Sequence, residues 1–217
     1  MKKTLICIVL LTAGISLCAT LAMAGADAFN RVKLGPSWVI TNGSLSISNR
    51  QLVGTSLALG YQKGSVKNTA GTAVVFLGGT DVEYGAVALG NIAGGSNAFV
   101  KIQSQNGSGT TFDTAGFYTG DNSPVYFFAL SSPVPSPAVL DVFFCGTTAT
   151  MRISSAAGIQ TYTYNYGTTF GSGVGLGTYG SVKLDNYIGF ASACTDPAAE
   201  GAAPATMMPS ATDLSLQ

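Results

Sequence analysis

The sequence contains no histidine, and only 9% of its 217 residues are charged. Without an imidazole there is neither a Ser-His-Asp nor a Cys-His relay. A zinc site would have to be assembled from cysteines and carboxylates alone, which is poor ligand chemistry for that metal. Glutamate is almost missing too: Glu83 and Glu200 are the only two. Glycoside hydrolysis needs two carboxyl groups about 5–9 Å apart across the scissile bond. Asp81 and Glu83, two apart and so on one strand face, are the sole pair to consider, and Val82-Glu83-Tyr84 also reads as an ordinary half-exposed strand. No Gly-rich loop runs from a strand into a helix, so a phosphate cradle is absent; Gly94-Gly95 and the Gly171–Gly177 stretch read as β turns. Basic residues form no stripe that would neutralise phosphates, which argues against a nucleic-acid partner. These absences together predict a protein that is not an enzyme.

What is present begins with an export signal. Lys2 and Lys3 form a short positive region, an apolar run extends from Leu5 to Leu21, and Ala22-Met23-Ala24 supplies the small-x-small pattern cut by signal peptidase. Residues 1–24 are expected to leave as a cleaved helical signal, with the mature chain starting at Gly25 and holding no transmembrane span. The protein is therefore expected to be secreted, periplasmic or at the cell surface. The 193 residues that follow are enough for one domain with a sizeable core. They carry eight Lys/Arg against ten Asp/Glu.

Cysteine use is consistent with export. Cys7 and Cys18 lie in the signal, leaving Cys145 and Cys194. Two cysteines in an oxidising compartment are expected to pair, a bond that would contribute roughly 4 kcal/mol in the chain-entropy model; two separate buried thiols are the other arrangement.

Between Phe29 and Phe190 short apolar-alternating runs are punctuated by Gly, Asn, Ser and Pro. Ala98, Val100 and Ile102 share one face, as do Ala149, Met151 and Ile153. Further strands are expected at Trp38–Ile40, Ser44–Ile47, Ala73–Leu77, Val82–Leu89, Phe112–Tyr118, Val125–Leu130, Val139–Cys145, Ile159–Tyr166, Val174–Thr178 and Val182–Ala191. Strands at this spacing predict an all-β sandwich or barrel. The short runs and the polar tail do not suit an outer-membrane barrel, whose strands run to about ten residues. Asn42-Gly43 and Asn106-Gly107 are expected to form tight turns. Ser132-Pro133-Val134-Pro135-Ser136-Pro137, with three residues lacking an N–H, is expected to connect strands outside any sheet. Residues 195–217, rich in Ala and Pro, read as a flexible tail, so that the domain spans 25–194.

Three groups of side chains are candidate sites. Tyr162, Tyr164 and Tyr166 alternate with Thr161, Thr163 and Asn165, which puts three phenols on one strand face. Exposed, they would stack on sugar rings; turned inward, they would stabilise the sheet by cross-strand packing. Asp27 and Asp185, with Asn186, are candidate oxygen ligands for a structural calcium, or else caps on strand ends. Trp38, the only tryptophan, follows Leu34-Gly35-Pro36-Ser37 in a first strand and is expected to be a buried anchor.

Two stretches carry a resemblance. Asp27-Ala28-Phe29-Asn30-Arg31, Leu34-Gly35-Pro36-Ser37-Trp38 and Gly43-Ser44-Leu45-Ser46-Ile47-Ser48-Asn49-Arg50-Gln51-Leu52 resemble the opening of bacterial laminin-G-like jelly rolls of the concanavalin A-like lectin/glucanase superfamily. Gly175-Leu176-Gly177 and Lys183-Leu184-Asp185-Asn186-Tyr187 resemble the closing strands of that group. The resemblance implies two antiparallel sheets packed as a jelly roll, neighbouring first and last strands, and Asp27 close to Asp185, where relatives often hold calcium. The Glu-x-Asp-x-x-Glu strand motif of that superfamily's hydrolases does not occur here. The expectation is an exported, non-catalytic binding module whose ligand class is carbohydrate or another envelope component. The alternative is a structural or adhesive surface protein acting through protein–protein contacts, and a glycoside hydrolase ranks below both.

Overall fold

The computed structural model describes residues 25–65, 69–90, 98–120, 123–171 and 173–191. The signal, the tail, Cys194, Glu200 and Gly94-Gly95 lie outside them. The described residues form strands throughout, with one turn of 3₁₀-helix at Lys63–Ser65. The strands are β1 (Gly25–Asp27), β2 (Trp38–Ser48), β3 (Gln51–Gln62), β4 (Ala70–Phe76), β5 (Glu83–Leu89), β6 (Ala98–Ser104) and β7 (Thr111–Thr119). They continue as β8 (Pro124–Pro135), β9 (Ala138–Cys145), β10 (Thr148–Ser155), β11 (Gly158–Asn165), β12 (Val174–Tyr179) and β13 (Lys183–Phe190).

All pairings are antiparallel, and hydrogen bonds run without a break through β11-β10-β9-β4-β13-β3-β12-β5-β6-β7-β8, with β1 attached to β13 and β2 to β3. The path is continuous because β3 serves both halves. Leu52 and Val53 pair with β13, while Ala58 to Tyr61 pair with β12. The halves on either side of β3 face each other across one core. Leu140, Val142, Met151 and Ile153 from one half meet Val87, Val100, Ile102 and Phe117 from the other, all of them fully buried. Apolar side chains alternating along each strand leave water together only if the two halves close on each other, and that burial is the main stabilising term. The outermost strands β8 and β11 approach one another, and side chains bridge them: Ser131 N donates to Tyr162 Oη at 3.0 Å, and Gln160 Nε2 donates to the Ser132 carbonyl at 2.9 Å.

Four local expectations need correction. β3 is absent from the pattern-based strands, because its apolar residues do not alternate: Leu52 and Ala58 face the main core, while the adjacent Leu59 packs in the outer cluster with Ala88, Phe99 and Tyr118. Asn42-Gly43 is not a hairpin turn. Register shifts on either side of Asn42 keep β2 running through it, with Gly43 at φ 58° and Leu57 O where a side chain would start. The hairpin turn is Asn49-Arg50, both at positive φ, between paired Ser48 and Gln51. Pro133, Val134 and Pro135 lie within β8, where Phe112 pairs with Val134 and Thr111 with Pro135. An edge strand bonded on one side only has room for residues without an N–H. Finally, Gly175 and Gly177 lie in β12, as the expected Val174–Thr178 strand has them and not as the turn reading of Gly171–Gly177 does. The expected neighbours are in place: Gly25, Ala26 and Asp27 pair with Gly189, Ile188 and Tyr187.

Candidate functional site

The N-terminal knot is held by Asp27. Its carboxylate accepts from Arg31 through both oxygens, from Trp38 Nε1 at 2.7 Å and from Phe29 N at 2.8 Å. Burial alone would raise the Asp27 pKa, but the hydrogen bonds from Arg31, Trp38 and Phe29 outweigh it and hold the carboxyl below its usual value. Trp38 is buried, as expected, with ring centroids 5.6 Å from Phe29 and 5.4 Å from Tyr187. Asp185 pairs in register with Val74 and accepts from Asn186 N. Asp27 already has a guanidinium as its cation, and among the described residues no three metal-ligating side chains gather. This donor set does not fit calcium, which takes six to eight oxygens.

Glu83 is buried rather than half-exposed, because β5 is an interior strand covered on both faces. Its two oxygens accept from Gly78 N and Ser181 N, each at 2.9 Å, and so tie two loops together. Asp81 is exposed. The pair does not share a cleft, and Glu83 is committed to the backbone. Cys145 ends β9 at an exposed position; its expected partner Cys194 is among the residues not described.

Tyr162, Tyr164 and Tyr166 are half-buried and packed against the main core. Tyr164 stacks on Phe117 at 5.5 Å and Tyr126 at 5.7 Å, and Tyr162 lies 4.6 Å from Phe128. Their hydroxyls have internal work as well: Tyr166 Oη donates to Tyr118 O at 3.2 Å, and Tyr162 Oη donates to Gln160. The row fills the seam between β11 and the β7–β8 hairpin.

A different set of rings stands on the opposite face of the β12-β5-β6-β7 sheet, away from the main core. Register places Tyr179, Tyr84, Gln103 and Thr114 in one cross-strand row, and Gly177, Ala86, Lys101 and Gly116 in the next. Gly175, Ala88, Phe99 and Tyr118 form the third. Lys101 is the one charged side chain in these rows. Its Nζ lies 4.2 Å from the Tyr84 ring centre and 3.9 Å from that of Tyr118, both within cation–π range. The small residues on either side give the ammonium its room: a methyl group at Gly116 would stand 2.7 Å from the Tyr118 ring. Tyr179, 39% exposed, stacks on Tyr84 at 5.3 Å and forms the solvent-facing rim.

The electrostatics of this face follow from its dryness. Burial lowers the Lys101 pKa to about 8 and pushes the Tyr118 phenol up to about 12. Tyr84 is raised further, by burial first and then by the nearby Tyr118 and Tyr179 phenols. The Tyr84 hydroxyl is enclosed and has no hydrogen-bond partner, a condition that costs about 1–3 kcal/mol. The Tyr84 hydroxyl is thus the polar group that this face leaves unsatisfied, and Tyr179 at the rim is its ring open to stack on a ligand. Sequence reasoning missed this face. The alternation of Ala98-Phe99-Val100-Lys101-Ile102 does put Phe99 and Lys101 together opposite the core, but it does not reveal that Tyr84 and Tyr118 lie on either side of them.

No family model matches the chain, and no curated protein does. Solved structures do share its fold. A Bacteroides ovatus protein described as a xyloglucan GH43B aligns at TM-score 0.54 and 15% identity, over 77% of this chain and 39% of that one. The apo Crh5 transglycosylase aligns at TM-score 0.53 and 14% identity, over 79% and 87%. Lectin II of Ulex europaeus aligns at TM-score 0.50 and 14% identity, over 75% and 95%. At such identities the likeness is one of fold: this chain shares the β-sandwich architecture of lectins and carbohydrate-active enzymes.

Proposed function

We propose that this protein is an exported carbohydrate-binding module of the jelly-roll type, and that it holds its glycan on the outer face bearing Tyr84, Lys101, Tyr118 and Tyr179. The observation that carries the reading is the enclosed, unpartnered Tyr84 hydroxyl beside Lys101. Sugar recognition combines aromatic faces for the C–H side of the ring with a few placed polar groups for its hydroxyls, and this face has both. The architecture shared with a lectin and with a transglycosylase supports the reading without identifying a ligand. Glu83 is bound to two backbone amides, which favours binding over hydrolysis.

The test is a glycan-array and polysaccharide pull-down with the purified protein, with and without a chelator. Retention on a defined sugar class, unaffected by the chelator, is the expected result. Silence across the panel would move the function to the alternative, a structural or adhesive surface protein. That reading has its own observation: Val125 and Phe127 on edge strand β8 are about two-fifths exposed, at 38% and 41%, and an open apolar edge is a surface for protein contacts.

A further inference from the structure

We propose that Asn106 is a self-modification site: Gly107 N closes on the Asn106 side-chain amide carbon, ammonia leaves, and water opens the resulting succinimide to aspartate or isoaspartate. The proposal is independent of the carbohydrate reading. The tripeptide Asn-Gly-Ser occurs twice, at Asn42-Gly43-Ser44 and at Asn106-Gly107-Ser108. Both asparagines are exposed, so neither the tripeptide nor access to water separates them. The fold does.

Asn42 lies inside β2 and pairs with Leu59 of β3. Gly43 N donates to Asn42 Oδ1 at 2.9 Å, so the nitrogen that would have to attack the side chain is instead holding its oxygen. Ring closure there would turn the peptide out of a paired ladder, and backbone held in a sheet opens far less often than backbone in a loop. Asn106 lies in the loop between β6 and β7, outside any strand. Gly107 N has no acceptor among the described residues, which leaves its proton to solvent base. Asn106 Oδ1 accepts from Ser108 N at 3.0 Å, and Ser104 Oγ stands 3.4 Å away. These donors polarise the amide carbon and stand where negative charge develops as Gly107 N adds, the arrangement that stabilises an oxyanion. Asp113 fixes the preceding arm, accepting from Gln105 N at 2.7 Å and Asn106 N at 3.0 Å, and so keeps nucleophile and amide within one turn.

The atoms balance without oxidation or reduction. Gly107 N gives its proton to base and bonds to Asn106 Cγ; the Cγ–Nδ2 bond breaks, and the nitrogen takes up a proton and leaves as ammonia. One water then cleaves either ring carbonyl, which restores the link to Gly107 through the main chain as aspartate or through the side chain as isoaspartate. Each event replaces a neutral amide by a carboxylate on the loop that Asp113 holds.

The experiment keeps the protein folded at mildly alkaline pH, with a parallel sample in urea, and digests both with trypsin over time. The two asparagines fall in separate peptides, residues 34–50 and 102–152, and fragmentation mass spectrometry reads amide-to-acid conversion at each. In the folded protein, conversion at Asn106 is expected to be at least about tenfold faster than at Asn42. In urea the two rates are expected to converge. Asn106→Gln, whose ring would be one atom larger, is expected to remove the fast phase of ammonia release. Conversion at Asn42 as fast as at Asn106 in the folded protein overturns the assignment, and so does an Asn106 that stays intact. A difference that persists unchanged in urea also overturns it, because the cause would then lie in the peptides and not in the fold.

Discussion

Two tyrosine-rich regions of the molecule lie on opposite faces of the β12-β5-β6-β7 sheet and treat their hydroxyls differently. In the seam between β11 and β8, the Tyr162 and Tyr166 hydroxyls reach protein acceptors, and the rings interleave with Phe117, Tyr126 and Phe128. On the outer face, Tyr84 and Tyr118 hold an ammonium between them and the Tyr84 hydroxyl finds no acceptor. The first region is internally complete and contributes stability. The second is incomplete by one acceptor, which costs stability and leaves a place for a ligand. Phenol content alone does not separate a packing cluster from a binding face; the accounting of donors and acceptors does.

The comparison can be broken most severely at the seam. Phe117 is fully buried and touches Tyr126, Phe128, Tyr164 and Tyr166. Phe117→Ala is expected to lower unfolding free energy by about 3–5 kcal/mol in urea titrations. Glu83→Ala removes the buried carboxylate that accepts from the Gly78 and Ser181 amides, and about 1–3 kcal/mol of destabilisation is expected by the same measurement. Tyr162→Phe removes bonds to Ser131 and Gln160 and is expected to cost about 0.5–1.5 kcal/mol. Tyr84→Phe removes a hydroxyl that has no partner, so the expected change is near zero or slightly stabilising, opposite in sign to the seam variant.

The outer face also has a pH signature. Lys101 has a folded-state pKa of about 8 against an ordinary 10.5. Between these values the unfolded chain holds more protons than the folded one, so stability rises with pH. This contribution is fully present above the unfolded pKa and is lost as pH falls through about 8. From about pH 10 upward the raised phenols of Tyr84, Tyr118 and Tyr166 act in the opposite direction. Denaturant midpoints measured from pH 7 to pH 10 are expected to rise in the wild type and to flatten in Lys101→Met. Calcium or chelator is expected to leave the melting temperature unchanged, the smallest effect of the set.

Much of the fold was legible because half-buried strands alternate. Ala98, Val100 and Ile102, and Ala149, Met151 and Ile153, face the core as the two-residue period requires. The neighbouring first and last strands, and Trp38 as a buried anchor, were legible from the resemblance and from position. β3 was not, since Leu57-Ala58-Leu59 breaks the alternation, with Ala58 in the main core and Leu59 in the outer cluster. The candidate site was legible only in fragments. The Tyr162-Tyr164-Tyr166 row announces itself in sequence, but whether such a row faces out or in depends on β7 and β8, some forty residues earlier. Lys101, Tyr84 and Tyr118 come from three different strands, and no local pattern joins them; only the register of β5, β6 and β7 does.

The most direct test of the account is a paired titration of wild type, Tyr84→Phe and Tyr162→Phe with whichever polysaccharide the wild type retains. Tyr84→Phe is expected to bind about tenfold more weakly while Tyr162→Phe binds as the wild type does. Loss of affinity in Tyr162→Phe with Tyr84→Phe unaffected would contradict it and place the sugar on the β11 tyrosine row.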